Sequence, residues 1–116
     1  MKKKELGKFG ETIAKKYLID QGFTFITENY FTRKGEIDLI FQNKNILLFI
    51  EVKTRKNKND FDIAIGFQKM KCLRASAEIF IEKENVSFTE MQFDVIFILL
   101  GTTGNVEEIG HKPNFL

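Results

Sequence analysis

The chain has no tryptophan, one cysteine and one proline among 116 residues. A single cysteine, Cys72, excludes an intrachain disulfide and leaves no cysteine-based metal motif. It falls within a helical pattern and reads as a small packed residue. Long apolar runs are also missing: the longest, Val95 to Leu100, is far short of the roughly 20 residues that a membrane-spanning helix needs. Lys2, Lys3 and Lys4 have the character of the basic start of a secretory signal, but no apolar stretch follows them. The expectation is a cytoplasmic protein. Nor does one sign of charge dominate, because 18 Lys and Arg face 16 Asp and Glu. A net charge of +2 says nothing by itself about nucleic acid.

What is present fits a folded domain. A hydrophobic content of 43% with 29% charged residues argues against disorder, and the length suits one domain spanning residues 1–116. Thirteen phenylalanines supply core bulk that asks for no hydrogen bond. The basic residues are unevenly spread. From Lys53 to Arg74 there are seven of them against two acids, Asp60 and Asp62. Such a cluster suits phosphate, or forms an ordinary solvated lysine-rich face.

Leu6, Phe9, Ile13 and Tyr17 recur at helical spacing, widened by Ala14 and Leu18, and Gly22 is placed to end that helix. Gly10 and Ala14 make a small-residue face that lets another part of the core approach closely. Phe23–Tyr30, Gly35–Phe41 and Ile46–Thr54 read as strands, the last two joined by a turn over Gln42–Asn45. A polar loop over 55–61 leads to a second helix from Asp62 to Lys83. Phe93–Leu100 is a strand apolar enough to be buried on both faces. "GTTGN" forms a turn, Val106–Ile109 a short edge strand, and the tail around Pro113 is irregular. The order α-β-β-β-α-β predicts an α/β fold with a mixed central sheet flanked by helices.

Two strands carry acids into this core. Glu36 and Asp38 lie on one, Glu51 and Lys53 on the next, and each pair shares a side because strand side chains alternate. A hairpin closing symmetrically about Asn43-Lys44 sets Phe41 against Ile46 and makes Asp38 the diagonal neighbour of Glu51. Two converging carboxylates repel unless a cation lies between them, and a hard divalent ion such as Mg²⁺ suits oxygen ligands of this kind. With Lys53 alongside, the constellation fits an anionic, phosphate-bearing substrate. The same residues, with Arg55, also fit a plain cross-strand salt-bridge set.

Asp38, Glu51 and Lys53 match the D…ExK core of the restriction-endonuclease-like (PD-(D/E)xK) nuclease superfamily. Over residues 7–100 the chain resembles the YraN family of small bacterial proteins, through "GKFGETIAKKYLIDQGF", "NYFTRKGEIDLI", "LFIEVKTR", "AIGFQKMKCL" and "QFDVIFI". Gln92 stands where the family pattern has arginine, and Phe67 where it has proline. The resemblance implies an αβββαβ restriction-endonuclease-like core and a Mg²⁺- or Mn²⁺-dependent endonuclease that hydrolyses DNA, including branched or damaged DNA. It implies Asp38 and Glu51 as metal ligands, Lys53 as the catalytic lysine, and Glu11 as a further ligand or else a helix-surface partner of Lys15. Arg33, Lys34, Arg55, Lys56 and Lys69 are the expected nucleic-acid contacts, with Lys15, Lys16 and Lys58 as further candidates. A homodimer would suit two-strand cutting. The alternatives are a nucleic-acid-binding module without catalysis and a protein-interaction component of a DNA repair or transformation complex.

Overall fold

The computed structural model describes residues 1–60 and 65–115. Helix α1 spans Lys3–Asp20 and is followed by strands β1 (Thr24–Thr32), β2 (Gly35–Asn43) and β3 (Ile46–Arg55). After a single 3-10 turn at Lys58–Asp60 come helix α2 (Phe67–Lys83), β4 (Glu90–Leu100) and β5 (Val106–Lys112). The strands form one five-stranded mixed sheet in the order β1-β2-β3-β4-β5. Only β3 and β4 run parallel, and α2 lies in the crossover between them; the other neighbours are antiparallel. Among the described residues no helix is long and apolar enough to cross a membrane.

One helix packs on each face. Ala14 and Leu18 of α1 meet Leu39, Phe41, Leu48, Ile50, Ile96 and Ile98. On the opposite face Leu73, Ala77 and Phe80 of α2 meet Ile37, Ile40, Leu47, Phe49 and Phe93. The helical stripe of α1 differs from expectation at one place. Phe9 is exposed, and the sheet-facing position is taken by Gly10. A Cβ at Gly10 would stand 2.7 Å from Thr54 Cβ and 2.9 Å from its Cγ2. The helix therefore rests on β3 at a spacing that only glycine permits. At the other end Gly22, at φ +93°, terminates α1. Its N–H donates to the Ile19 carbonyl and that of Phe23 to the Leu18 carbonyl, both at 3.0 Å. This is the Schellman pattern that satisfies the last carbonyls of a helix.

Of the expected second helix, residues 62–64 lie outside the described residues. Gly66 is extended, and the helix begins at Phe67. Strand β5 is longer than expected and runs beside β4 as far as Lys112.

The β2–β3 register also differs from expectation. Asn43 faces Ile46 and Phe41 faces Leu48, so the turn is Lys44-Asn45 alone. Lys44 takes φ +56° there, as the first central residue of tight hairpin turns does. The slip moves β3 by two residues against β2, an even number. It therefore preserves which side chains share a face, and the positions beyond the last paired residues, Leu39 and Ile50, are Asp38 and Glu51.

Candidate active site

The outer strands turn over at this same level. Glu28 reaches Lys15 of α1, whereas Tyr30, two residues on, packs its ring on Phe80 of α2. Between them Asn29 adopts φ +48°, a left-handed conformation that asparagine tolerates better than most residues. Its cross-strand neighbour is Asp38, in the step between Glu28↔Leu39 and Tyr30↔Ile37. Here β2 changes sides too: Leu39 belongs to the α1 face and Ile37 to the α2 face. This local twist aims the acids of β2.

Asp38 does not stand on a flat sheet face. Its carboxyl accepts the Val52 N–H at 2.8 Å, beyond the end of the β2–β3 ladder, and it is hydrogen-bonded to Glu51. Burial pushes its pKa from 3.8 up to about 9, and the charge and hydrogen bond of Glu51 push the same way. The Val52 amide opposes the rise and the charge of Glu11 adds to it. Glu51 is itself buried, and its Oε2 lies 3.3 Å from Lys69 Nζ on α2. For Lys69, burial lowers the pKa, and the carboxylates of Glu51, Asp38 and Glu36 outweigh it, so the ammonium is held above its ordinary value.

Lys53 follows Glu51 on the same side of β3. Together they line a cleft of about 290 Å³ with Arg55, Gly66 and Lys69. Lys69 also lines a neighbouring cavity of about 390 Å³, whose wall includes Lys34, Glu36 and Cys72. Arg33 and Lys34 form the exposed tip between β1 and β2, and Lys56 and Lys58 are exposed beyond β3. Arg55 is half-buried, and its guanidinium donates to the Thr54 carbonyl at 2.8 Å. Lys15 and Lys16 are engaged elsewhere, with Glu28 at 3.4 Å and Asp20 at 3.1 Å, and neither lines the cleft.

Glu11 pairs with Lys8 at 3.9 Å rather than with Lys15. The Asn29 amide donates to Glu11 at 2.9 Å and to Glu36 at 3.0 Å, tying both acids to the rim of the site. Asn29 is the residue that the sequence did not single out. Its signal, one polar residue interrupting a β-branched and aromatic run, is faint. Among the described residues no three or more Asp, Glu, His or Cys side chains form a ready metal cluster. The donor set is a carboxylate pair, which suits a hard divalent ion that keeps several of its waters. Burial and then repulsion from buried Glu51 push the pKa of half-buried Asp38 upward, and such an ion would relieve that repulsion.

A second polar centre lies on the last two strands. Asp94 is fully buried. It accepts from Gln92 Nε2 at 3.0 Å and from the Asn114 N–H at 2.9 Å, and it meets His111 Nε2 at 2.7 Å. It ties β5 and the tail to β4.

An α/β protein with a mixed sheet, a helix on each face and a half-buried aspartate meeting a buried glutamate across adjacent strands is the class that these features define. Residues 10–98 match the family described as "Uncharacterised protein family UPF0102", and the chain belongs to that family, the YraN-like one expected from its motifs. It is similar to a UPF0102 protein of Dictyoglomus turgidum, with 37% identity over 117 residues covering 98% of each chain. A UPF0102 protein of Natranaerobius thermophilus is 43% identical over 104 residues, covering 85% of this chain and 87% of the other. One of Vibrio parahaemolyticus is 40% identical over 99 residues, covering 83% and 82%.

Proposed function

We propose that this protein is a metal-dependent nuclease that hydrolyses phosphodiester bonds in DNA on a restriction-endonuclease-like core. The observation that carries this reading is the contact between Asp38 and Glu51, with Asp38 raised to about 9 and Lys53 lining the same cleft as Glu51. Asp38 and Glu51 would hold Mg²⁺ or Mn²⁺, with Glu11 on the rim as a further acid. An ion there supplies charge neutralisation at the phosphate and a more acidic bound water. Lys53 brings an ammonium to the same cleft and stabilises the negative charge that grows on the phosphoryl oxygens. Lys34, Arg55 and Lys69 line the cavities beside the acids, and with the exposed Arg33 and Lys56 they would position the phosphate backbone without reading sequence.

The test is nicking of supercoiled plasmid in Mn²⁺ by wild type, Asp38→Ala and Lys53→Ala, with circular dichroism to confirm that each is folded. Wild-type nicking that both substitutions abolish is the expected result. Nicking that survives both removes the site assignment.

One observation favours a second reading, a nucleic-acid-binding module without hydrolysis. The Lys69 ammonium already sits against Glu51, and an internal cation of this kind can satisfy the acids without a metal. DNA retention on gels with no nicking across a Mn²⁺ titration supports that alternative.

A further inference from the structure

Phenylalanine in this chain is mostly core. Phe41, Phe49 and Phe80 are fully buried, and burying such a ring is worth about 1.5–3 kcal/mol. Phe31 and Phe67 stand apart, being 74% and 77% exposed. Isolated exposed apolar residues need no explanation, but these two share one surroundings. Phe67 opens α2 immediately after Gly66, which lines the cleft of Glu51 and Lys53. Lys71 Nζ lies 5.6 Å from the centre of its ring. Phe31 is the cross-strand partner of Glu36, which lines the adjoining cavity, and it precedes the exposed Arg33 and Lys34. Lys69 lines both cavities. An exposed ring thus neighbours each cavity, with Lys71 beside the ring of Phe67 and Arg33 and Lys34 following Phe31 in the chain.

Exposed aromatic rings interleaved with cations are what single-stranded nucleic acid recognises. The cations follow the phosphates, and every base offers a face for stacking. Intact duplex cannot use the rings, because its bases are already stacked on one another. We propose that Phe31 and Phe67 are stacking platforms for unpaired bases, so that the site takes single-stranded DNA in preference to duplex. The proposal rests on the nucleic-acid reading above and adds the form of the substrate.

Because the chain has no tryptophan, Phe31→Trp and Phe67→Trp each introduce a sole indole at an exposed position, excited selectively at wavelengths that tyrosine does not absorb. Each variant is titrated with oligo(dT) and with a blunt duplex of the same length, in Ca²⁺ to hold cleavage back, while anisotropy of labelled DNA reports binding. Oligo(dT) is expected to quench the indole emission and duplex to leave it nearly unchanged. Phe31→Leu and Phe67→Leu keep the apolar bulk but lose the ring face, and each should weaken oligo(dT) binding about tenfold with an unchanged salt slope, since the phosphate contacts remain. Oligo(dT) that binds without quenching, or with affinity unaffected by the Leu variants, overturns the stacking proposal and leaves the nuclease reading standing. Duplex bound as tightly as oligo(dT) does the same. Failure of both DNAs to bind at low salt overturns the proposal together with the nucleic-acid reading beneath it.

Discussion

Lys69 Nζ and Glu51 Oε2 are 3.3 Å apart, joining α2 to the central strand of the sheet. The lysine comes from the crossover helix and the glutamate from the strand before it, so this ion pair forms only when α2 docks. It places a positive charge beside the carboxylate proposed to hold a divalent ion.

On the proposed metal-dependent reading, replacing Lys69 with methionine should tighten Mn²⁺ binding, by about tenfold if the lost competition is worth about 1.4 kcal/mol, and slow the proposed DNA cleavage at the same time. Calorimetric titration of Mn²⁺ into the folded variant reads the first effect. An affinity that is unchanged or weaker shows that the ammonium and the metal do not compete for Glu51.

Asp38 gives a pH signature. Its folded-state pKa is raised from 3.8 to about 9, first by burial and then by Glu51. Above the unfolded value the unfolded chain releases this proton and the folded protein keeps it. Its contribution to stability is fully present below about pH 4 and declines as pH rises toward 9, by up to ~1.4 kcal/mol per pH unit. Asp38→Asn keeps an acceptor for the Val52 N–H and a donor for Glu51 without the charge. In EDTA its thermal midpoint should exceed that of wild type at pH 8, with a flatter profile between pH 5 and 9. Parallel profiles for the two proteins contradict this assignment.

Gly10 of α1 lies against Thr54 of β3 with no room for a side chain. Gly10→Ala should destabilise the protein by about 2 kcal/mol or more, because the added methyl overlaps Thr54 and displaces α1. Thr54 Oγ1 is buried without a hydrogen-bond partner, which is costly for a hydroxyl. Thr54→Val, of nearly the same shape, should be neutral or stabilising by about 1 kcal/mol. Urea unfolding of both variants checks the pair, and a tolerated Gly10→Ala contradicts the contact.

Asp94 should act as a clasp. Asp94→Ala strips the shared acceptor from Gln92, His111 and Asn114. A loss of about 3 kcal/mol is expected, from the range for breaking a buried charged network. Amide exchange should accelerate first along β5 and at Asn114. Uniform acceleration over the whole sheet argues against a local clasp.

The legible part of this fold follows periodicity. The α1 stripe, the apolar runs of β3 and β4, and the close approach at Gly10 can all be read from residue type and spacing. The acids could also be paired, because the slip in the hairpin leaves side-chain parity unchanged. The size of the turn was not legible: four consecutive polar residues, Gln42 to Asn45, each suit a turn, and only the sheet decides how many are used. Asn29 escaped because a left-handed residue inside a strand leaves no periodic trace. Asp94 and His111 escaped because 17 residues and a strand reversal separate them, and no local pattern links them.

The hairpin has an evolutionary consequence. Lys44 and Asn45 are exposed and touch none of the acids, so their identity is free to drift, with glycine or asparagine favoured at 44 by its φ of +56°. Their number is not free. One residue added or lost would rotate Glu36 and Asp38 away from β3's carboxylate. Among relatives, length at this bend should be as strictly kept as the acids themselves.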